Sequence, residues 1–181
     1  MHDMTESNLH DAFAGESQAH MRYKIYSAVA EEEGYQNVAR LFRAIAYAER
    51  VHATNHLNRM PEREGFFSGE NPYGVGNTSR NLQYGIDGET FEIEEMYPTY
   101  KKVSKFQEEP VAEQTFNWAL QAEKIHAKMF KDAKESVDDE EDMELDEVQI
   151  CSRCGYTTEG EAPEECPICG AKGDQFREFS D

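Results

Sequence analysis

Two short motifs in the 181-residue chain place a carboxylate and an imidazole three residues apart, Glu49-x-x-His52 and Glu123-x-x-His126. In a helix this spacing brings both side chains to one face, a single turn apart. Oxygen and imidazole donors without thiolate suit iron or manganese. Dinuclear carboxylate sites in helical bundles combine two such pairs with one more glutamate from each of two other helices. The chain offers these at Glu16 and Glu89.

Each candidate ligand interrupts a stripe of apolar residues that has the three- and four-residue steps of one helix face. The four stripes are Leu9, Ala12, Glu16, Ala19 and Tyr23; Val38, Phe42, Ile45, Glu49, His52 and His56; Leu82, Gly85, Glu89, Glu92 and Met96; and Phe116, Ala119, Glu123, His126 and Phe130. A buried carboxylate is costly unless it is protonated or neutralised. Several on facing stripes therefore favour a cluster of cations in the core. The alternative for any single glutamate is a solvated position near a helix end. His56 lies past the metal turn, so we expect it to be an ordinary core histidine.

The elements that must position these residues are predicted to be helices across residues 5–136. Gly34 is expected to end the first helix as a C-cap, and Pro61 follows the second. Asn77 or Thr78 is expected to cap the third. These breaks predict four helices in total.

The fourth helix is expected to begin at Glu109-Pro110, because proline is favoured at the first helical position. The middle connection, roughly residues 61–77, is rich in Gly, Asn and Pro, whereas the other two are short. A mainly α chain with short, long and short connections is predicted to form a ferritin-like four-helix bundle with a long middle crossover. Pro98 should kink the third helix after Glu94 loses its hydrogen-bond partner.

A second centre is indicated by Cys151-x-x-Cys154 and Cys166-x-x-Cys169, which eleven residues separate. Two paired-cysteine turns predict a tetrahedral site of four thiolates rather than disulfides. The spacing does not choose between iron and zinc, and a structural zinc ribbon is the commoner use of such pairs.

Composition divides the chain into two domains and a linker. Nine of the thirteen residues 135–147 are acidic and none is basic, which predicts an extended linker that repels itself. Residues 148–181 are too few to fold on apolar burial alone and need a metal as a staple. The predicted boundaries are 1–136 for the bundle, 137–147 for the linker and 148–181 for the cysteine domain.

The charge balance excludes several classes of partner. With 18 Lys and Arg against 37 Asp and Glu, the net charge is −19. This argues against binding duplex nucleic acid or an anionic membrane surface. The amino terminus has no secretory signal pattern, which leads us to expect a cytoplasmic protein. The sequence has no dinucleotide-binding fingerprint, so NAD(P)H is not expected to bind this chain directly.

Taken together, these motifs resemble the rubrerythrin family over nearly the whole chain. The residues that carry the resemblance are Glu16 through Tyr23, Glu49-x-x-His52, Glu89-x-x-Glu92 running into Tyr97-Pro98, Glu123-x-x-His126 and the pattern Cys-x-x-Cys-Gly-Tyr followed by Cys-Pro-x-Cys-Gly. The second pattern looks like a short rubredoxin-like domain, which favours iron over zinc in the cysteine site.

The resemblance also implies a role for each matching residue. Glu49 and Glu123 would bridge two irons, Glu16 would bind the first iron, and Glu89 with His126 the second. Glu92 would be an additional ligand that exchanges with His52 on reduction of the centre. Tyr23 and Tyr97 would hydrogen-bond the ligand carboxylates. The single iron would be held by Cys151, Cys154, Cys166 and Cys169.

The function that the resemblance implies is reduction of hydrogen peroxide to water in oxidative-stress defence. Electrons would come from NAD(P)H through a separate reductase or a small electron carrier, and would pass through the cysteine-bound iron. A homodimer or a larger homo-oligomer is expected. Two alternatives remain open at this point. One is a ferroxidase that oxidises Fe(II), and the other is a helical interaction domain that carries a zinc ribbon.

Overall fold

The structure, a computed structural model, describes residues 1–61, 64–65, 69 and 72–180. Helix α1 (Asp3–Glu33) and helix α2 (Gln36–Leu57) form an antiparallel pair. Gly34 ends α1 in the left-handed conformation, with φ of 95°, and its N–H caps the last turn. This confirms the predicted C-cap, because only glycine adopts such a φ without strain.

The third helical region has three parts. Helix α3 (Thr78–Phe91) is followed by a π-helical turn (Glu92–Met96) and by helix α4 (Tyr97–Phe106). The Asn77 side chain accepts a hydrogen bond of 3.0 Å from the Arg80 N–H, which confirms Asn77 as the N-cap.

The irregularity near Pro98 is a wide π turn, which the sequence did not predict, and it lies before the proline. Pro98 has no N–H to donate to the Glu94 carbonyl. The helix accommodates this by widening, so that the Tyr97 N–H donates to the Glu92 carbonyl five residues earlier.

Helix α5 (Pro110–Asp138) begins with proline in its first turn, as predicted, and packs against both α3 and α4. The predicted stripes of α1, α2 and α5 are buried along their whole length, including their glutamates and histidines. The mainly α, four-helix architecture is confirmed. Part of the predicted 61–77 connection lies outside the described residues. No helix in the described part of the chain is long and apolar enough to cross a membrane.

The cysteine domain is a small antiparallel sheet of three strands, in the order β2-β1-β3. The strands are β1 (Val148–Cys151), β2 (Thr157–Glu159) and β3 (Phe176–Phe179). Val148 and Ile150 of β1 are fully buried and join the core of the bundle. The sheet therefore rests on the helices rather than standing apart from them.

The acidic segment after α5 differs from the extended linker that its composition predicted. It is not a self-repelling tether, because Met143 is buried and the Asp142 carboxylate accepts hydrogen bonds from the N–H groups of Asn37 and Val38. These N–H groups belong to the first turn of α2, where a carboxylate is favoured by the helix dipole. Arg40 also donates to the Leu145 carbonyl. The segment fixes the cysteine domain against α2.

Candidate metal centre

The four-helix core brings six predicted ligands into two overlapping groups. Within each group, one donor atom from every residue lies within 4.8 Å of the others. The first group is Glu16, Glu49, His52 and Glu123, and the second is Glu49, Glu89, Glu123 and His126. Glu49 and Glu123 belong to both groups, which is the arrangement expected of carboxylates that bridge two metal ions.

Both imidazoles face the carboxylates through Nδ1. His52 Nδ1 lies 2.9 Å from Glu49 Oε2 and 3.0 Å from Glu123 Oε1. His126 Nδ1 lies 2.7 Å from Glu123 Oε2 and 3.2 Å from Glu49 Oε1. Each Glu-x-x-His pair therefore directs its two donors to the same point, as the one-turn spacing predicts.

The residues fit a pair of metal ions, as the unpartnered polar atoms show. Buried polar atoms normally have hydrogen-bond partners, and an exception calls for an explanation. In the described residues, seven buried polar atoms of this cluster make no hydrogen bond of good geometry: Glu16 Oε2, Glu49 Oε1, His52 Nε2, Glu89 Oε2, Glu123 Oε1 and Oε2, and His126 Nδ1. Four of them, Glu49 Oε1, the two Glu123 oxygens and His126 Nδ1, have only ion-pair contacts within the cluster. Coordination to cations would satisfy every atom of the seven except His52 Nε2.

Without metal, the cluster carries a strong electrostatic conflict. Burial, together with the charges of neighbouring glutamates, raises the pKa of Glu16 and of Glu89 well above the usual range. Burial also opposes ionisation of Glu49, but its contacts with the two histidines outweigh burial and lower its pKa. Burial disfavours the charged form of His126, yet Glu123 and Glu49 raise its pKa to about 9. Two divalent ions would replace these protons as the positive charge.

Two buried tyrosines donate hydrogen bonds to Glu89 and Glu16, the contacts that the resemblance implied. The Tyr23 O–H donates to Glu89 Oε1 over 2.7 Å, and the Tyr97 O–H donates to Glu16 Oε1 in a very short contact. Burial is the main cause that raises the pKa of both phenols well above 10, so they remain donors at neutral pH.

His56 is a buried core histidine, as predicted, but its hydrogen bonds were not anticipated. Its Nε2 lies 3.0 Å from the Tyr97 hydroxyl, and its Nδ1 lies 3.3 Å from Thr115 Oγ1. Burial, with a smaller contribution from His52, lowers the pKa of His56 to about 3, so the ring is neutral. His56 therefore supports Tyr97 as Tyr97 supports Glu16.

Glu92 belongs to neither group. It begins the π turn and is partly exposed, while its predicted exchange partner His52 is fully within the first group. Although the residue as a whole is partly exposed, its carboxyl group faces inward, and burial of that group, followed by the charges of Glu123 and Glu49, raises the pKa of Glu92 well above its usual value. The structure thus has His52 in the ligand set and Glu92 beside it.

The four cysteines converge as predicted. Cys151 Sγ and Cys169 Sγ lie 3.6 Å apart, and Cys154 Sγ and Cys166 Sγ are also 3.6 Å apart. A disulfide needs about 2.05 Å, whereas metal–sulfur bonds of about 2.3 Å in a tetrahedron separate the sulfurs by nearly 3.8 Å. The geometry fits four thiolates around one metal ion.

Two of the bundle ligands contact the cysteine domain of the same chain. His126 Nε2 lies 2.8 Å from Thr157 Oγ1, and the Thr157 hydroxyl donates to the Gly155 carbonyl over 3.1 Å. Since the hydroxyl has only one hydrogen, it accepts from the His126 Nε2–H, which leaves Nδ1 free for a metal. His52 Nε2 faces Gly155 so closely that a Cβ on Gly155 would lie 2.0 Å from it.

Sequence reasoning missed Thr157 and the contact at Gly155. Thr157 has no spacing relation to His126, and the two meet only because the cysteine domain docks on the bundle. Gly155, which follows the first cysteine pair, has φ of 84° and forms a tight turn there. Its closeness to His52 has no signal in a single sequence. Trp118 of α5 packs against the cysteine cluster.

Comparisons with known proteins agree with this arrangement. Residues 7–134 match the family model of rubrerythrin, and residues 149–177 match that of the rubrerythrin rubredoxin-like domain. Rubrerythrin-2 of Clostridium acetobutylicum is 47% identical over 178 residues, which cover 97% of both chains. Nigerythrin of Nitratidesulfovibrio vulgaris is 34% identical, over 97% of this chain and 86% of that protein. The solved structure of fully reduced, all-ferrous nigerythrin superposes with a TM-score of 0.85 at 33% identity, again over 97% and 86%.

These matches confirm the resemblance that the motifs indicated and the predicted fold. They also confirm the two predicted cofactors, a di-iron centre in the bundle and a four-cysteine site in which iron fits.

Proposed function

Because the chain belongs to the rubrerythrin family, whose members are generally oxidoreductases, we propose that it reduces hydrogen peroxide to water at the di-iron centre. The electrons would arrive through the iron of the four-cysteine site. The observation that carries this proposal is the contact between two bundle ligands and the cysteine domain. An imidazole from each Glu-x-x-His pair touches the cysteine domain, His126 through Thr157 and His52 through Gly155. A structural zinc ribbon would have no need of such a contact.

In this proposal the chain's residues have separate tasks. Glu16, Glu49, His52 and Glu123 would hold one iron, and Glu49, Glu89, Glu123 and His126 would hold the other. The four cysteines would hold the third iron. When bound, the di-iron centre would supply two electrons and a Lewis acid for cleavage of the O–O bond. Hydrogen peroxide, two electrons and two protons then give two molecules of water.

The protein groups around the centre fix its geometry. Tyr97 and Tyr23 each donate a hydrogen bond to a terminal carboxylate, which limits the directions in which Glu16 and Glu89 can present their remaining oxygens. The neutral His56 ring and Thr115 hold Tyr97 in turn. This buried network keeps bulk water away from the carboxylates on the α1 side.

Glu92 and His52 are proposed to alternate as ligands of the first iron. The position of Glu92 beside the ligand groups, on a π turn, supports this, because π turns are wider than α turns and occur often at functional sites. Glu92→Gln should therefore lower both peroxide turnover and iron occupancy. If both stay at the wild-type level, the exchange has no role in the reaction.

The source of the electrons is also a proposal. NAD(P)H would act through a separate reductase or a small electron carrier, since the sequence has no dinucleotide fingerprint. A homodimer and a cytoplasmic location remain predictions. Reduction of hydrogen peroxide would serve in defence against oxidative stress.

Steady-state kinetics test the proposal against the ferroxidase alternative. The iron-loaded protein is supplied anaerobically with peroxide and a chemical reductant, without added Fe(II). Sustained peroxide consumption with constant iron content supports the peroxidase. Consumption only when Fe(II) is added, with iron oxidised in proportion, would instead identify a ferroxidase.

A further inference from the structure

A basic groove lies where the cysteine domain meets helices α1 and α2. Its volume is about 430 Å³. We call it the seam groove and define it by four cations and two aromatic rings: Lys24, Arg43, Arg50, Arg177, Tyr47 and Phe179. Lys24 comes from α1, Arg43 and Arg50 from α2, and Arg177 from β3. Both domains therefore contribute to one surface.

The charge of the seam groove is opposite to that of the chain, whose net charge is −19. All four cations are exposed, and no carboxylate is among the described residues that line the groove. Arg43 has an ion pair with Glu31, over 3.7 Å between exposed side chains. Within the part of the chain that the structure describes, Lys24, Arg50 and Arg177 have no carboxylate partner.

The aromatic rings hold two of the guanidinium groups in place. The Arg50 Cζ atom lies 4.6 Å from the centroid of the Tyr47 ring, and the Arg177 Cζ atom lies 4.7 Å from the same centroid. Arg177 also lies 4.9 Å from the Phe179 ring. Stacking on a ring leaves the N–H edges of a guanidinium free, and those edges match a carboxylate in a two-pronged hydrogen bond. The groove is thus preorganised for carboxylates.

The seam groove is adjacent to the four-cysteine site. The Tyr47 hydroxyl lies 3.0 Å from Ser152 Oγ, and Ser152 directly follows the ligand Cys151. In the β1–β3 ladder, Arg177 pairs with Ile150 and Phe176 pairs with Cys151. A donor bound in the groove would contact the same strands and the same turn that hold the cysteine-bound metal.

We propose that the seam groove is the docking site for an acidic protein that carries single electrons to the four-cysteine iron. The inference rests on the proposed function, in which electrons enter at that iron. The reduced carrier loses one electron, Fe(III) in the four-cysteine site becomes Fe(II), and no proton or bond is exchanged. The occupant is a carboxylate-rich protein surface, because the four cations come from three elements of two domains, α1, α2 and β3, and line one shared groove.

Screening explains how an acidic carrier can bind a chain of net charge −19. At physiological ionic strength charges interact over only about 8 Å. At contact the carrier therefore senses the four local cations more than the distant acids, and complementary local charge orients the encounter.

The first test measures binding without redox chemistry. The double variant Lys24→Glu/Arg50→Glu is compared with Lys102→Glu/Lys105→Glu, which makes the same charge change at exposed positions of α4. Each protein is loaded with zinc in the cysteine site and titrated calorimetrically with a small acidic rubredoxin as the probe. We expect the groove variant to bind about 10- to 100-fold more weakly, which corresponds to about 1.4–2.8 kcal/mol. The control should stay within about twofold of wild type, in line with the small effect of distant screened charges.

The second test measures the reduction of the iron-loaded cysteine site. Stopped-flow absorption follows the bleaching of the thiolate–Fe(III) bands by the reduced probe, and separately by dithionite. The groove variant should be slow with the probe and normal with dithionite. If both double variants lose affinity equally, or the groove variant loses none, the docking site is wrong. Should the glutamate variants melt early, Lys24→Gln/Arg50→Gln is used with Lys102→Gln/Lys105→Gln.

Two other occupants give distinct results, and either one overturns the proposal. If NADH displaces the probe and the groove variant loses NADH binding, the groove is a nucleotide site. If the groove variant alone changes from dimer to monomer in sedimentation, the groove is an interface between copies of this chain. The zinc-loaded binding test stands even if the wild type consumes no peroxide, so failure of the proposed function is separable from failure of this inference.

Discussion

The substitution Gly155→Ala tests the contact between the cysteine domain and the di-iron ligands. The added Cβ would lie 2.0 Å from His52 Nε2 and 2.6 Å from Cδ2, whereas ordinary contacts are 3.4 Å or longer. The two groups must separate by at least 3.4 − 2.0 = 1.4 Å. His52 cannot retreat freely, because Nδ1 on the opposite side of its ring is already 2.9 Å from Glu49 and 3.0 Å from Glu123. The cysteine domain is therefore expected to shift away from α2.

The energetic cost has two parts that a matched control separates. Gly155 has φ of 84° and Gly160 has φ of 78°, so alanine at either position costs about 1–2 kcal/mol of backbone strain. At Gly160 nothing lies within 4 Å of the new Cβ. At Gly155 the overlap adds about 1–3 kcal/mol, as in an overpacked core. Gly155→Ala should therefore destabilise the protein by about 2–5 kcal/mol, against about 1–2 kcal/mol for Gly160→Ala.

The assay combines thermal melting of the iron-loaded protein with stopped-flow reoxidation of the cysteine-bound iron after peroxide is added. Gly155→Ala should slow reoxidation and lower Tm beyond the control, while the thiolate–Fe(III) spectrum of both variants stays that of wild type. Equal Tm values and equal reoxidation rates for the two variants would refute the close contact.

Three further predictions concern the surroundings of the centre. Thr157→Val leaves the buried His126 Nε2–H without an acceptor, so we expect a loss of about 1–3 kcal/mol in the free energy of unfolding, measured by denaturant titration. The control Thr158→Val should show almost no effect. Equal losses for the two variants would contradict the assignment of this hydrogen bond. Tyr97→Phe removes the donor to Glu16 and the partner of His56, and should weaken the binding of one iron about 10- to 100-fold in chelator competition; unchanged affinity would show that Tyr97 does not orient Glu16. In the metal-free protein, the pKa of His126 is raised to about 9, so its contribution to stability is complete below about pH 6.5 and is lost as the pH rises through 9. Glu16 and Glu89, whose pKa values are also raised, act in the same direction. The metal-free Tm should therefore fall between pH 6.5 and 9 while the iron-loaded Tm does not, and a flat metal-free profile would contradict the electrostatic account.

The sequence was sufficient to predict the helices and the convergence of six of the seven proposed bundle ligands, all except Glu92. Glu49 and His52 could be predicted because a one-turn spacing on an apolar stripe has a local physical meaning that does not depend on the rest of the fold. The same applies to the left-handed Gly34 and to the Asn77 cap, which are decided within a few residues. The four-thiolate site could also be predicted from local spacing, because two short turns bring the paired cysteines together.

What depended on tertiary contacts could not be predicted. Pro98 indicated a kink, but the π turn that begins at Glu92 depends on how the widened helix packs. The acidic segment has the composition of a free linker, and yet Asp142 caps α2 across more than a hundred residues. The hydrogen bond between His126 and Thr157 requires both domains to be in place, and no spacing rule records it.

We propose that electrons pass from the cysteine-bound iron through the di-iron centre to peroxide. The most direct measurement is the metal content of the purified protein together with its visible spectrum, recorded after anaerobic reduction and again after addition of peroxide. We predict iron in both centres, bleaching of the thiolate–Fe(III) absorption on reduction, and its return as peroxide is consumed. Zinc in the cysteine site, or peroxide that persists while the cysteine-bound iron stays reduced, would contradict the account.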